Sequence, residues 1–140
     1  MISPTHTVAV ALVLNRIIER NDGRVTYAHL RIVVDHLQDL LEADLEPLVR
    51  ALREGGTVRL GLDGGELALE VEDDRVTVRE CPYRGECRRL SGVADGPLVL
   101  PCTVLVQLAL DELGEGRHVV GLERGDAECS LRLVEGPANR

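Results

Sequence analysis

The stretch TVRLGLDGGELALEVEDDRVTVREC, residues 57–81, decides the fold of this chain because its hydrophobic residues recur with a period of two. Aliphatic side chains alternate with polar or small ones in three short runs. The turn sequences Asp63-Gly64-Gly65 and Asp73-Asp74 separate the runs. Such alternation is typical of strands that bury one face and leave the other in water. The stretch therefore predicts an antiparallel three-stranded β-meander.

Three helical segments precede the meander and are expected to cover its buried face. The first, Val8–Arg20, is apolar almost all round. The second begins after a capping residue, Thr26, and repeats apolar residues at three- and four-residue spacing up to Leu41. The third is capped by Asp44 and ends before Gly55. Helices grouped before a sheet are typical of an α+β domain.

The second half of the chain predicts an irregular stretch, one more helix and a hairpin. The irregular stretch is Cys81–Leu100, the helix is Cys102–Leu113, and the hairpin strands lie around His118–Leu122 and Cys129–Leu133. We predict that this hairpin belongs to the same sheet as the meander. We also predict one domain over residues 1–140, with a helical part (1–56) and a part that holds the sheet and the cysteines (57–140).

Composition and charge exclude several classes of function. Hydrophobic residues make up 44% of the chain, but Tyr27 and Tyr83 are its only aromatic ones, so the core must be aliphatic. The net charge of −8 repels phosphate backbones, which makes nucleic acid a disfavoured partner. No apolar run approaches the roughly 18–20 residues that a membrane span needs. The N-terminal segment lacks a basic start, so we expect a cytoplasmic protein with reduced thiols.

Four cysteines form the candidate functional centre: Cys81, Cys87, Cys102 and Cys129. Cys81 and Cys87 bracket a loop after the third strand, and Cys102 begins a helix whose free amides and dipole favour a thiolate. Cys129 meets them if the last hairpin joins the sheet. Four thiolates suit a tetrahedral Zn²⁺ ion, which is the predicted cofactor, and an iron–sulfur cluster is the alternative.

Other interpretations of the cysteines stay open. The spacing lacks the paired C-x2-C of zinc ribbons, so Cys81 and Cys87 could instead form a redox pair, and the others could be small buried hydrophobes. His118 is the substitute ligand if one thiol does not reach the site. A basic cluster beside the first two cysteines could lower thiol pKa values and bind an anionic ligand; it consists of Arg79, Arg84, Arg88 and Arg89.

Two histidines on the second predicted helix, His29 and His36, lie seven residues apart and so share one face. They could be metal ligands or pH-sensitive contacts. We interpret them as boundary residues at a helix interface.

Three motifs from about Leu45 onward resemble the 4-vinyl reductase domain family, whose small-molecule-binding domains are related in fold to a subunit of the TRAPP tethering complex. The first two are VTVRECPYRGEC (Val76–Cys87) and PCTVLVQLALDELG (Pro101–Gly114). The third, HVVGLERGDAEC, partly matches the pattern E-x-x-C-x-x-x-G-x-x-x-C. Gly125 and Cys129 fit that pattern, whereas His118 and Gly121 replace its glutamate and first cysteine.

The resemblance implies a domain with helices packed on an antiparallel sheet, often a homodimer through its N-terminal helices. It also implies a role in sensing or binding a small ligand, and cysteines that hold metal or respond to redox state. Because Gly121 replaces a family cysteine, we expect Cys81 or Cys87 to supply the lost ligand. The aliphatic composition favours an apolar ligand between the N-terminal helices and the sheet.

Two other functions remain alternatives. The three helices and the first hairpin outline a winged-helix transcription regulator, although its recognition helix would offer only Arg50 and Arg53 beside acidic residues. A thiol-dependent enzyme subunit with Cys102 as its nucleophile is the other, but the sequence assigns no base to activate that thiol. We therefore leave the question of catalysis open and favour a non-catalytic domain.

Overall fold

The computed structural model describes residues 4–20, 27–62, 65–85, 87, 100–125 and 128–135 of an α+β protein. The helices and strands that precede the cysteine loop are α1 (Pro4–Arg20), α2 (Tyr27–Asp35), α3 (Leu37–Glu42), α4 (Glu46–Glu54), β1 (Gly56–Leu62), β2 (Gly65–Glu72) and β3 (Arg75–Glu80). Those that follow it are α5 (Pro101–Leu113), β4 (Arg117–Arg124) and β5 (Cys129–Glu135). The predicted α+β class is confirmed.

The five strands in the described part of the chain form one antiparallel sheet in the order β1-β2-β3-β5-β4. The predicted meander is its first half. The C-terminal hairpin joins it because β5 pairs with β3, which places Cys129 opposite Val78. The prediction that both hairpins share a sheet is therefore confirmed, and this pairing brings the last cysteine to the end of β3.

The central element of the core is α5. Its residues 101–110 are all buried, and it contacts α1, α3 and α4 as well as β4 of the sheet. A helix that is covered on every side needs apolar residues all round, which explains why its sequence shows no narrow stripe. Gly114 ends the helix with φ +72°, a left-handed conformation that favours glycine. α5 thus lies between the N-terminal helices and the sheet.

The second predicted helix is two helices in the structure, which corrects the sequence interpretation. The first, α2, ends at Asp35, and α3 begins at Leu37 after His36, whose φ and ψ are −115° and 24°. No glycine or proline marks this break, so the hydrophobic period runs through it unchanged. The predicted cap of the next helix is one residue off: the N-cap residue is Leu45, which has no side-chain cap, and Asp44 lies just before it. Asp44 Oδ1 still accepts a hydrogen bond of 3.2 Å from the Glu46 amide.

Several predicted features lie outside the described residues. They are the capping residue Thr26, part of the turn between β1 and β2, Arg88 and Arg89, and most of the irregular stretch after Cys87. Within the described part of the chain, no helix is both long and apolar enough to cross a membrane.

A buried polar side chain, Gln107, ties α5 to β4. Its Oε1 accepts a hydrogen bond of 3.0 Å from the Val119 amide, and its Nε2 donates to Arg117 O at 3.3 Å and to Asp111 Oδ1 at 3.1 Å. Asp111 in turn pairs with Arg16 of α1. The network fixes the register between the central helix and an edge strand, because each buried polar group needs a partner.

We expect Gln107→Leu to lower the free energy of unfolding by about 1–3 kcal/mol, because the buried Val119 amide would lose its acceptor. Urea unfolding followed by circular dichroism measures this. The exposed Glu112→Gln on the same helix is the control and should stay within about 0.5 kcal/mol of wild type. Equal stability of the two variants would show that the network does not support the fold.

Candidate metal centre

The four cysteines line one small cavity at the end of the sheet where β3 leads into the cysteine loop. Its volume is about 30 Å³. Besides Cys81, Cys87, Cys102 and Cys129, its walls are formed by Val78, Arg84, Leu100, Leu122 and Gly125. Sulfur atoms that are remote in the sequence therefore share one largely apolar space.

Three parts of the fold bring the cysteines together. Cys81 follows the last residue of β3, and Cys87 lies one turn further along the same segment. Cys102 is in the first turn of α5, and Cys129 is the first residue of β5. Because α5 is held in the core and β5 pairs with β3, the positions of the last two cysteines follow from the fold itself.

Backbone amides surround the sulfur of Cys81. The Tyr83 amide donates a hydrogen bond to Cys81 Sγ at 3.4 Å, and the Arg84 amide also interacts with this sulfur. The Cys87 amide donates to Tyr83 O at 2.9 Å, which closes the turn between the two cysteines. Donors to sulfur stabilise a thiolate, so this turn is suited to a metal-bound cysteine.

Burial dominates the acidity of the two innermost thiols. Burial raises the pKa of Cys102 well above its usual value, although the Thr103 amide donates to its sulfur. Burial also raises the pKa of Cys81, although the Tyr83 amide and the Arg84 guanidinium act in the opposite direction. The sequence prediction that the helix start and nearby arginines would lower these pKa values is wrong, because loss of hydration outweighs both.

The two arginines of the predicted cluster that the structure describes, Arg79 and Arg84, lie apart. Arg84 lines the cavity and donates to Val78 O at 3.2 Å. Arg79 is exposed on the outer face, where it bonds Glu128 at 2.9 Å and Glu70. These two guanidinium groups therefore do not form a common patch, and of the two Arg84 is the one that adds positive charge at the cysteines.

The structure does not bring His118 to the cysteine cavity. It pairs with Val134 near the start of β4, whereas Cys129 pairs with Arg124 at the end of that strand. Six residues of strand correspond to about 20 Å. A ligand set built from the cavity residues would therefore consist of the cysteines alone.

The cavity is of the size that one ion needs, but the thiols must close around it. Across the described residues, no three Cys, His, Asp or Glu side chains stand close enough to hold a metal ion as they are. A cavity of about 30 Å³ exceeds the roughly 10–15 Å³ that holds one water molecule. Zinc–sulfur bonds are about 2.3 Å long, so binding requires the side chains to turn inward.

A second polar cluster lies behind the cysteine turn and was not predicted as a unit. Tyr83, which is fully buried, donates a hydrogen bond of 2.8 Å from its hydroxyl to Asp39 Oδ2. The His36 ring contacts the Tyr83 ring at a centroid distance of 4.7 Å. Sequence reasoning missed this cluster because Asp39 lies opposite the predicted apolar stripe at ideal helical spacing, where a solvent-exposed carboxylate is expected.

No protein-family model, curated protein or solved structure matches this chain. The site must therefore be interpreted from its own geometry.

The raised pKa values predict slow alkylation of Cys102 in the metal-free protein. At about pH 7.5, iodoacetamide should modify Cys102 at least about tenfold more slowly than free cysteine, because each pKa unit removes tenfold of the thiolate. Mass spectrometry of the peptide measures the rate. Fast and selective modification of Cys102 would contradict this and would favour the nucleophilic enzyme.

The same pKa shifts set how the stability of the metal-free protein depends on pH. A raised folded-state pKa means that the protonated thiol is favoured by folding. Its contribution is fully present below the unfolded-state pKa near 9.0 and is lost as the pH rises towards the folded-state value. We expect a falling melting temperature in the alkaline range, and Cys102→Ala should reduce that fall.

Proposed function

We propose that this protein is a non-catalytic sensor domain that binds Zn²⁺ through Cys81, Cys87, Cys102 and Cys129. The supporting observation is that four cysteines from three separate segments line one cavity. Chance burial of small hydrophobic residues would not require all four to border the same space. Thiolates are strong ligands for zinc, and a four-cysteine set is typical of structural or regulatory zinc sites.

The size of the cavity favours one ion over a larger cluster. Zinc with four thiolates carries two negative charges, which must be compensated in an apolar cavity. Arg84 and the amides that face Cys81 and Cys102 supply part of this compensation. A cavity of about 30 Å³ fits a single ion with less rearrangement than an iron–sulfur cluster would need. The cluster remains the alternative cofactor.

A sensor is favoured over an enzyme because burial suppresses the thiolate of Cys102 and no base adjoins it among the cavity residues. The resemblance to the 4-vinyl reductase domain family supports the same proposal, and the antiparallel sheet with helices agrees with it. An apolar small molecule stays a prediction from the sequence. The four free cysteines fit a reducing compartment, and we propose the cytoplasm.

If the four cysteines bind Zn²⁺, protein purified without chelator should contain one zinc ion per chain. Cys102→Ser and Cys129→Ser should each weaken zinc binding by at least about tenfold, whereas His118→Ala should leave it unchanged because His118 is remote from the cavity. Competition with a chromophoric chelator measures the affinity. Because zinc must displace protons from thiols with raised pKa values, affinity should fall as the pH drops from about 8 to about 6.

The result that contradicts the zinc proposal is the absence of stoichiometric zinc together with four freely titratable thiols. Iron with visible charge-transfer absorption would favour the cluster. A disulfide between Cys81 and Cys87, formed reversibly under mild oxidant and without metal, would instead support the redox pair.

We also propose that the protein forms a homodimer through its N-terminal helices. Val8 and Leu12 lie one turn apart on α1, and each is 57% exposed. Val34 on α2 is 58% exposed. These are the largest apolar exposures in the described part of the chain. Neighbouring exposed apolar side chains, such as the pair on α1, are typical of a surface that a partner covers.

The dimer predicts that Leu12→Glu shifts the protein to monomer, with at least about a tenfold rise in the dissociation constant, because a buried charge would face the partner. Sedimentation velocity over a dilution series measures this. Val134→Glu is the matched control, since Val134 is exposed but lies on β5. A wild-type protein that is monomeric at all concentrations would contradict the proposal.

A further inference from the structure

One residue, Tyr83, touches the cysteine turn with its backbone and the N-terminal helices with its side chain. Its amide donates to Cys81 Sγ at 3.4 Å and its carbonyl accepts from the Cys87 amide at 2.9 Å. Its hydroxyl donates to Asp39 in the first turn of α3 at 2.8 Å. A movement of either cysteine therefore acts directly on Tyr83.

The side chain of Tyr83 reaches the break between α2 and α3. His36 occupies the break, and its ring lies against the Tyr83 ring at 4.7 Å with an interplanar angle of 52°. Its Nδ1 is 4.0 Å from Asp39 Oδ2, the same oxygen that accepts from the tyrosine. The aromatic ring, the carboxylate and the imidazole thus meet where α2 ends and α3 begins.

Burial makes the hydrogen bond between Tyr83 and Asp39 rigid. Tyr83 is fully buried and Asp39 is 8% exposed, so neither hydrogen-bonding group can exchange its partner for water without an opening of the core. A rigid side chain held at both ends transmits a small displacement instead of absorbing it. Val34, on the exposed apolar surface of α2, lies only two residues before His36.

We infer that Tyr83 couples metal occupancy at the cysteines to the order of the α2–α3 break. The inference rests on the proposed zinc site. Zinc draws the thiols of Cys81 and Cys87 inward, each releasing its proton, and so fixes the turn that carries Tyr83. The tyrosine then holds Asp39 and His36, so that α3 and the break before it become more ordered. Metal binding is in this way communicated to the helices that carry the proposed dimer surface.

The test measures amide hydrogen exchange of α3 with and without added ZnCl₂ in wild type, Tyr83→Phe and Tyr27→Phe. In wild type and in the control Tyr27→Phe, zinc should slow exchange across α3 by about tenfold, the effect expected of one buried bond to a charged group. In Tyr83→Phe, zinc should still bind with unchanged stoichiometry, but exchange of α3 should slow by less than about threefold.

Tyrosine emission provides a second readout, since the chain has no tryptophan and only two tyrosines. Zinc should change the emission of Tyr27→Phe, in which Tyr83 is the remaining fluorophore, and leave that of Tyr83→Phe unchanged. If Tyr83→Phe does not fold, Asp39→Asn replaces it. That variant keeps the acceptor but removes its charge, so it should bind zinc with a reduced response in α3.

The outcomes separate this inference from the zinc proposal. If zinc binds wild type but exchange of α3 does not change, or if it changes equally in Tyr83→Phe, the coupling is overturned and the zinc site stands. If wild type binds no zinc, the proposed function fails and the coupling fails with it.

Discussion

The burial of α5 is the constraint on which the rest of the structure depends. Residues 101–110 are covered on every side, by three N-terminal helices and by the sheet. Because the interior contains no phenylalanine or tryptophan, this contact must be made by many small aliphatic groups. Such a core gains its stability from close packing over a large area and tolerates little displacement of the central helix. The start of α5, and with it Cys102, is therefore held in one place.

Two opposed effects act on the thiols of the cysteine cavity: burial favours the neutral thiol, and a bound cation would favour the thiolate. The same burial that positions Cys102 raises its pKa and keeps its thiol neutral. A neutral, buried thiol is a poor nucleophile but is compatible with an apolar core, whereas a thiolate there needs a cation. A soft divalent ion reverses this preference for the neutral thiol, because it binds the sulfur as a thiolate and displaces the proton. In the proposed zinc site, the metal-free thiols are therefore neutral, and metal binding requires each of them to lose its proton.

The sequence predicted the fold more completely than the site, and particular residues show why. Period-two alternation in residues 57–81 and the apolar run from Pro101 to Gly114 are local patterns, and both produced the expected elements. That the last hairpin joins the same sheet was also predicted, but the alternation pattern did not indicate which of its strands pairs with β3. The sign of the Cys102 pKa shift was not predictable, since it depends on how many atoms surround the sulfur. The prediction that His118 could substitute as a ligand was wrong for a related reason. The sequence does not indicate which end of β4 lies beside the cysteines, and His118 is at the other end.

The break at His36 is the instance in which tertiary contact overrides a local pattern. The apolar spacing continues from α2 into α3, so nothing in the sequence ends the helix. What distinguishes this point is a buried carboxylate, Asp39, that needs a donor and finds the hydroxyl of Tyr83. In a core otherwise built of aliphatic side chains, a tyrosine contributes apolar area and a polar group at once. Its place between Cys81 and Cys87 means that the residue which satisfies the buried charge is also the residue which the cysteines would move.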